Sequence, residues 1–337
     1  MYVVRPIEKR DLDAFMTLAE LSGPGFTSLP DDPALLEKRL ELSLESFAKA
    51  PGKPAEEGYL LVLEDSETGA VVGTSAVKNG IGVSKPFFNF RLFSIAQSSY
   101  VAKRRFDMDV MILVNEFDGC TEVGTLFVHP DARGGGTGGL IAQARYLLIA
   151  AAPQCFGRTL LAELRGVVDS QGYSPFWEHL ARKFFRMEFN EADYLSGTTD
   201  KQFILDLMPK YPIYVDLLPE EARVVIGQVH PEGGGAKKLL EREGFTFNRI
   251  IDIFDGGPLV STPRDSVRTL RESRLVALKK GQGVEGQRWR LSNNRIGGFR
   301  ACEAMVDIKD DVAFAGADIL EALQVEEGDM VRIVSET

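Results

Sequence analysis

The stretch from Glu122 to Ala152, EVGTLFVHPDARGGGTGGLIAQARYLLIAAA, decides the fold. Val123, Leu126, Phe127 and Val128 form a short apolar run that reads as a strand, and Pro130 and Asp131 break it. Gly134, Gly135, Gly136, Gly138 and Gly139 fall within six positions, and then Leu140, Ile141, Ala144, Leu147, Leu148 and Ala151 recur at the spacing of one helix face. A strand, a glycine loop and a helix in that order aim free backbone N–H groups and the positive end of a helix dipole at one point, where a phosphate can sit.

The loop admits several readings. Gly134, Gly136 and Gly139 satisfy G-x-G-x-x-G, with Glu163 near where a ribose-binding acid would stand. Against this dinucleotide reading, His129 to Arg133 separate the strand from the first glycine, which in that motif follows almost directly. A P-loop is excluded because no Gly-Lys-Ser/Thr follows. Arg133, Gly136 and Gly138 also spell R-x-x-G-x-G a few residues past the strand. That pattern resembles the pyrophosphate loop of the GNAT superfamily of N-acyltransferases, which bind acyl-coenzyme A. A merely flexible loop is the bland alternative, although so many glycines are seldom needed to turn a corner.

Bulk properties narrow the function classes. The 337 residues suffice for one large core or two domains, and 39 basic against 49 acidic side chains leave a formal charge of −10. Nucleic acid and anionic membrane are therefore poor partners, whereas a cationic substrate is mildly favoured. No apolar run is long enough to span a bilayer or serve as a signal peptide, and Cys120, Cys155 and Cys302 stand in no metal or redox spacing. The expectation is a soluble, cytoplasmic protein with reduced thiols and no metal.

Residues 2 to 7 read as a strand. Asp11 is placed to cap a helix whose apolar face is Leu12, Phe15, Met16 and Ala19, and Asp32-Pro33 starts a second, with Leu36, Leu40, Leu44 and Phe47 inward. Gly58 to Glu64 and Ala70 to Val77 read as a hairpin, and Thr159 to Leu164 as the strand beside the one that feeds the loop. That strand ends in Glu163-Leu164-Arg165-Gly166, charged residues where open α/β sheets place ligands. Ser174 to Trp177 opens a helix with a core stripe of Phe176, Leu180, Phe184 and Phe185.

Among the histidines, His179 lies mid-helix and His129 precedes the glycine loop, whose work is done by backbone groups. His230 ends the apolar run Val224 to Val229 before Pro231, which reads as a strand terminus where imidazole can give or take a proton near neutral pH. After it, Ala236, Leu239 and Leu240 mark a short helix stopped by Gly244.

Seven blocks in order, Gly25 to Pro30, Leu63 to Gly69, Glu163 to Gly166, Gly172 to Trp177, Leu207 to Tyr214, Gly227 to Pro231 and Asp252 to Pro258, together resemble the arginine N-succinyltransferase family. The resemblance runs from residue 2 to about 279 and more loosely to the end. It implies an enzyme that transfers succinyl from succinyl-CoA, a co-substrate rather than a bound cofactor, to the α-amino group of L-arginine. It further implies that His230 matches the family's proton-transfer residue and Leu126 a succinyl-CoA contact. The backbone around Leu126 to Val128 is then a candidate for the oxyanion and pantetheine contacts, and Arg133, Gly134, Gly136 and Gly138 for the pyrophosphate. The substrate guanidinium calls for a carboxylate, with Glu163, Asp252 and Asp255 as candidates, and the substrate carboxylates call for Arg165, Ser28 or Thr27. Each of these has a capping or framework role as its alternative.

From about residue 266 short β-like runs (Arg274 to Leu278, Trp289 to Leu291, Phe299 to Val306) are broken by Gly281, Gly283 and Gly297-Gly298, and a short helix Ala317 to Leu323 precedes a last strand. The expected architecture is α/β (α+β): a GNAT-like mixed twisted sheet flanked by helices over residues 1–265, and a small β-barrel over 266–337. A homo-oligomer is expected, or a hetro-oligomer with a homologous subunit. The competing functional readings are transfer to ornithine or another amine, a non-catalytic partner subunit, and a nicotinamide-dependent oxidoreductase.

Overall fold

The alternation of Leu60 and Val62 with Leu61 and Leu63 sends successive side chains of one strand to opposite faces of a sheet, and each face meets its own helices. The computed structural model describes residues 1–23, 28–169, 172–199, 201–281 and 286–335. Thr27, the first part of the Gly25 to Pro30 block, and Gly283 lie outside the described residues. The strands are β1 (Tyr2–Pro6), β2 (Glu57–Asp65), β3 (Val71–Asn79), β4 (Asn89–Ser99), β5 (Arg104–Val114), β6 (Thr121–Val128), β7 (Thr159–Glu163), β8 (Ile213–Tyr214), β9 (Thr246–Ile251), β10 (Pro258–Pro263), β11 (Arg274–Lys280), β12 (Gln287–Ser292), β13 (Ala301–Lys309), β14 (Val312–Ala315) and β15 (Met330–Ser335).

They form one sheet in the order β12-β15-β11-β14-β13-β1-β2-β3-β6-β7-β10-β9-β4-β5-β8, and an additional β12–β13 pairing closes the first five into a barrel. The neighbours are antiparallel except β6–β7 and β11–β14. Helices α1 (Leu12–Ser22) and α2 (Pro33–Ala48) cover one face, packing Phe15, Leu18, Leu36 and Leu40 on Leu60, Val62, Ala76 and Phe127. Helix α3 (Thr137–Ala151) covers the other, with Leu140, Ile141, Ala144 and Leu148 against Leu61, Leu63, Val77, Val123 and Leu160. Both the mixed sheet and the C-terminal barrel match expectation.

The barrel docks on α3 through a buried polar chain. Arg290 Nη1 donates to Gln143 Oε1 at 2.9 Å, Gln143 Nε2 to Thr269 Oγ1 at 2.8 Å, and Thr269 Oγ1 to Glu243 Oε1 at 2.8 Å. A Cβ at Gly139 would lie 2.7 Å from Arg290 Nη2, so glycine is what lets the barrel approach the first turn of α3 this closely.

Three local expectations need correction. Asp32 caps α2 through the N–H groups of Ala34 and Leu35, but Asp11 does not cap α1 with its side chain. Its carboxylate instead takes a two-pronged bond from Arg5, 2.6 Å from Nη1 and 2.9 Å from Nη2, while Arg5 Nε donates to Glu64 at 2.7 Å. The segment from Val224 to Val229 is a turn rather than a strand: Gly227 adopts φ +70° and its N–H donates across to the Gly256 carbonyl. The third is the helix opened by Ser174-Pro175, which runs as a π-helical turn, Trp177–Ala181, before Arg182–Phe185, although Phe176, Leu180 and Phe185 are buried as expected.

Arg5 is 1% exposed, so removing it strands the buried Asp11 carboxylate and takes the main partner from the partly buried Glu64. Arg5→Met is expected to lower the unfolding free energy by about 3–5 kcal/mol in urea titrations at neutral pH. Burial would raise the Asp11 carboxyl, yet Arg5 holds it below its ordinary range. Its contribution is thus full above the unfolded carboxyl pKa of about 3.9 and is lost as pH falls through the folded value. The variant should lack that acid-side loss, and a difference under about 1 kcal/mol at neutral pH would contradict the role given to Arg5.

Candidate active site

Strand β6 carries an irregularity that shapes the site. Its register against β3 shifts between Thr74 and Ala76, so that Thr125 and Leu126 together oppose Ser75. Thr125 sits at φ +53°, a left-handed conformation that β-branched residues rarely adopt, and its Oγ1 donates to the Ser28 carbonyl at 3.0 Å. On its other side β6 pairs with β7 only at Thr121↔Leu160 and Glu122↔Leu161, although β6 continues to Val128 and β7 to Glu163. The two strands part there, leaving an open wedge bordered by Leu126 and Val128.

The glycine loop lies at the end of this strand. Arg133 is turned back on it: Nε donates to the Val128 carbonyl at 3.0 Å, and the guanidinium lies over the Phe127 ring, 5.5 Å from its centroid. Thr137 Oγ1 ties the loop to the carbonyls of Ala132 and Gly134. Gly134, Gly135 and Gly136 take φ of +106°, +57° and +90°, and a Cβ at Gly134, Gly135 or Gly138 would meet nothing within 4 Å. The first turn of α3 therefore presents unpaired N–H groups to open space at its positive end. A cavity of about 520 Å³ begins there, between Gly135, Gly136 and Thr137 and the barrel residues Arg288, Met305 and Ile319.

His230 stands beside the segment that continues β7. Its N–H donates to the Arg165 carbonyl at 2.8 Å, its Nδ1 accepts from the Glu232 N–H at 3.2 Å, and its Nε2 lies 3.1 Å from the Val168 carbonyl. With Nδ1 an acceptor, the neutral ring carries its proton on Nε2, which donates to Val168. Arg165, half-buried, makes no ion pair among the described residues, its Nε has no partner, and burial pushes its pKa down. By contrast, His179 is occupied by Glu221 at 2.5 Å, and His129 accepts the Asp131 N–H.

The candidate carboxylates separate. Asp255 is buried, with its oxygens accepting the N–H groups of Gly166 at 2.6 Å and Gly257 at 2.7 Å, which gives it a framework position holding the two loops together. Burial, then the Asp252 charge, pushes it up to about 8. Glu163 and Asp252 retain partly exposed surfaces in a cluster with Glu122, Lys78 and Lys201, with Asp252 Oδ1 also bracing the turn by accepting the N–H groups of Phe254 at 2.7 Å and Asp255 at 2.9 Å. Burial, then the charges of Glu122 and Asp252, hold Glu163 well above the ordinary carboxylate range. Burial pushes the Lys201 ammonium down against the pull of Glu163. Lys78 Nζ lies 3.1 Å from both oxygens of Glu122, its cross-strand register partner. A Cβ at Gly124 would fall 2.9 Å from Glu122 Oε1 and 4.0 Å from Ser28 Cβ, which places Ser28 beside this cluster.

Lys78, Glu122 and Lys201 were absent from the expected set. A lysine within the apolar run of β3 was the one available signal, because the pairing itself depends on strand register.

The comparisons with known proteins agree with one another. The family model described as "Arginine N-succinyltransferase beta subunit" matches residues 2–269, and that of its C-terminal domain matches residues 273–335. Curated proteins named arginine N-succinyltransferase are similar over 336 residues: one from Citrobacter koseri at 42% identity and one from Escherichia coli at 41%, each covering 99% of this chain and 97% of its own. The solved structure of arginine/ornithine succinyltransferase subunit AI from Pseudomonas aeruginosa superposes with a TM-score of 0.91 at 35% identity, covering 100% of this chain and 99% of that one.

A carboxyl with a raised folded pKa stabilises the fold below its unfolded pKa and loses that contribution as pH rises through the folded value. Glu163→Gln should therefore remove a carboxyl that titrates above the ordinary range in infrared difference spectra. It should also make the variant gain stability relative to wild type on going from about pH 4 to pH 8. An unchanged carboxyl titration would contradict this placement.

Proposed function

The chain belongs to the arginine N-succinyltransferase family and is an acyltransferase, and from that premise we propose how its residues divide the transfer of succinyl from succinyl-CoA to the α-amino group of L-arginine. The observation that carries the reading is the parting of β6 from β7 beside a glycine loop that opens α3. The pyrophosphate lies on the N–H groups of Gly134, Gly136 and Gly138, and the pantetheine runs along Leu126 and Val128, where a backbone N–H meets the thioester oxygen. Arg133 positions this loop through Val128 instead of touching the phosphates. Glu163 and Asp252, with Ser28 at their edge, receive the guanidinium, and Arg165, which makes no ion pair among the described residues, receives the acceptor's carboxylate.

The amine nitrogen bonds to the thioester carbonyl carbon and the carbon–sulfur bond breaks. His230 Nε2, which holds a proton toward Val168, delivers it to the leaving thiolate, and the same nitrogen takes the proton shed by the amine, so the imidazole ends as it began. The donor polarity at Nε2 favours this order over abstraction of the amine's proton as the first event.

The Pseudomonas relative's description includes ornithine, which gives a second acceptor worth testing. Thiol release from succinyl-CoA should depend on arginine or ornithine and fall about 100- to 10,000-fold in His230→Ala with little change in thermal midpoint. Full activity in the variant would remove His230 from the chemistry. No release from wild type would favour the non-catalytic reading.

The division into an acyltransferase body to residue 265 and a barrel from 266 is supported by the separate family models. The same Pseudomonas relative is described as a subunit, and the β4–β5 hairpin projects Phe93, Tyr100, Val101 and Phe106 outward, Tyr100 at 99% exposure. Both support assembly through this hairpin with a second copy or a homologous subunit, and a monomer mass by light scattering would contradict it. Among the described residues no helix is long and apolar enough to cross a membrane. Cytoplasmic residence, consistent with three free cysteines, is checked by cell fractionation.

A further inference from the structure

Arg145 lies on α3 and is 2% exposed. Its Nε donates to the Ala142 carbonyl at 3.0 Å, its Nη1 reaches the Gly124 carbonyl at 3.5 Å, and its guanidinium lies over the Tyr146 ring. Among the described residues it has no carboxylate partner. Glu243, whose charge reaches it, is already taken by the Thr269 N–H, the Thr269 hydroxyl and Arg268. Buried charges are ordinarily paired. Among the described residues this buried guanidinium meets two carbonyls and a ring but no carboxylate, which suits it to receive an anion.

Its place selects the anion. Gly124 directly precedes the bulge at Thr125 and lies where β6 has already parted from β7. Reading back along β6 from the glycine loop, the order is Val128, Leu126, Gly124. A coenzyme whose pyrophosphate rests on the loop and whose thioester lies at Leu126 thus directs its acyl chain toward Gly124. Two residues span at most about 7 Å, and less across the left-handed Thr125, ground that a four-carbon diacyl chain and one hydrogen bond together cover. Arg165 lies beyond the end of β7 beside His230, on the acceptor's side.

We infer that Arg145 binds the distal carboxylate of the succinyl group and so sets the preference for succinyl over uncharged acyl chains. The inference rests on the acyl-CoA reading above.

Isothermal titration of the full chain with succinyl-CoA, butyryl-CoA and free CoA tests it. Butyryl-CoA matches the chain length and lacks the carboxylate. Wild type should bind succinyl-CoA about 10- to 100-fold more tightly than butyryl-CoA, the usual worth of a hydrogen bond to a charged group. Arg145→Met should bring the two within about twofold, Arg145→Lys should keep part of the preference, and free CoA should bind all three proteins alike. A preference retained in Arg145→Met, or missing from wild type, would overturn the inference. Equal weakening of all three ligands would also overturn it by showing a purely structural arginine. Wild type that fails to bind even free CoA would instead overturn the acyl-CoA reading itself.

Discussion

The parting of β6 from β7 is the constraint on which the site depends. Parallel strands ordinarily continue pairing, because each N–H and C=O left bare in the interior is costly. Here pairing stops after Glu122 and Leu161, and just beyond it β6 bulges against β3 at Thr125, a β-branched residue in left-handed backbone. Such a conformation costs about 1–3 kcal/mol and persists only when its surroundings enforce it. The Thr125 hydroxyl on the Ser28 carbonyl and the Arg145 guanidinium on the Gly124 carbonyl secure the bulge from opposite faces of the sheet. The same feature that strains the strand frees the edge a thioester needs.

Charge placement follows from that opening. The chain is acidic overall, and on one side of the wedge Glu163 and Asp252 crowd beside Glu122, with Lys78 and Lys201 for compensation, and the proton affinities of Glu163 and Asp252 rise. Carboxylates held in this way gain from a guanidinium, which restores the charged form without a proton. Arg165 and Arg145 are the converse case, guanidinium groups with no carboxylate bonded to them among the described residues, in a reaction whose two substrates both bring one. The arrangement is complementary to its ligands group by group, and complementarity of this kind sets specificity more than affinity.

What could be read in the sequence was what depends on local spacing. The glycine loop, the β2–β3 hairpin, the Asp32-Pro33 cap and four of the barrel's five strands announce themselves within a few residues. The β4–β5 hairpin did not, because its outer half is exposed on both faces and shows no clean alternation of polar and apolar residues. Nor did β14, only four residues long. Asp11 looked like a cap because the cap position is local, whereas its partner Arg5 arrives from β1 as a tertiary contact. The Lys78–Glu122 pair requires the β3–β6 register, and the fate of Asp255 requires knowing that Gly166 passes beside it. Residue identity supplied the candidates, and topology divided them between chemistry and framework.

Amide hydrogen exchange with and without succinyl-CoA tests the central claim most directly. If the wedge and the loop hold the coenzyme, slowed exchange will concentrate at residues 124–128 and 134–139, with the barrel strands and the outer β4–β5 hairpin unchanged. Protection centred elsewhere, with both of those segments unaffected, would contradict the account.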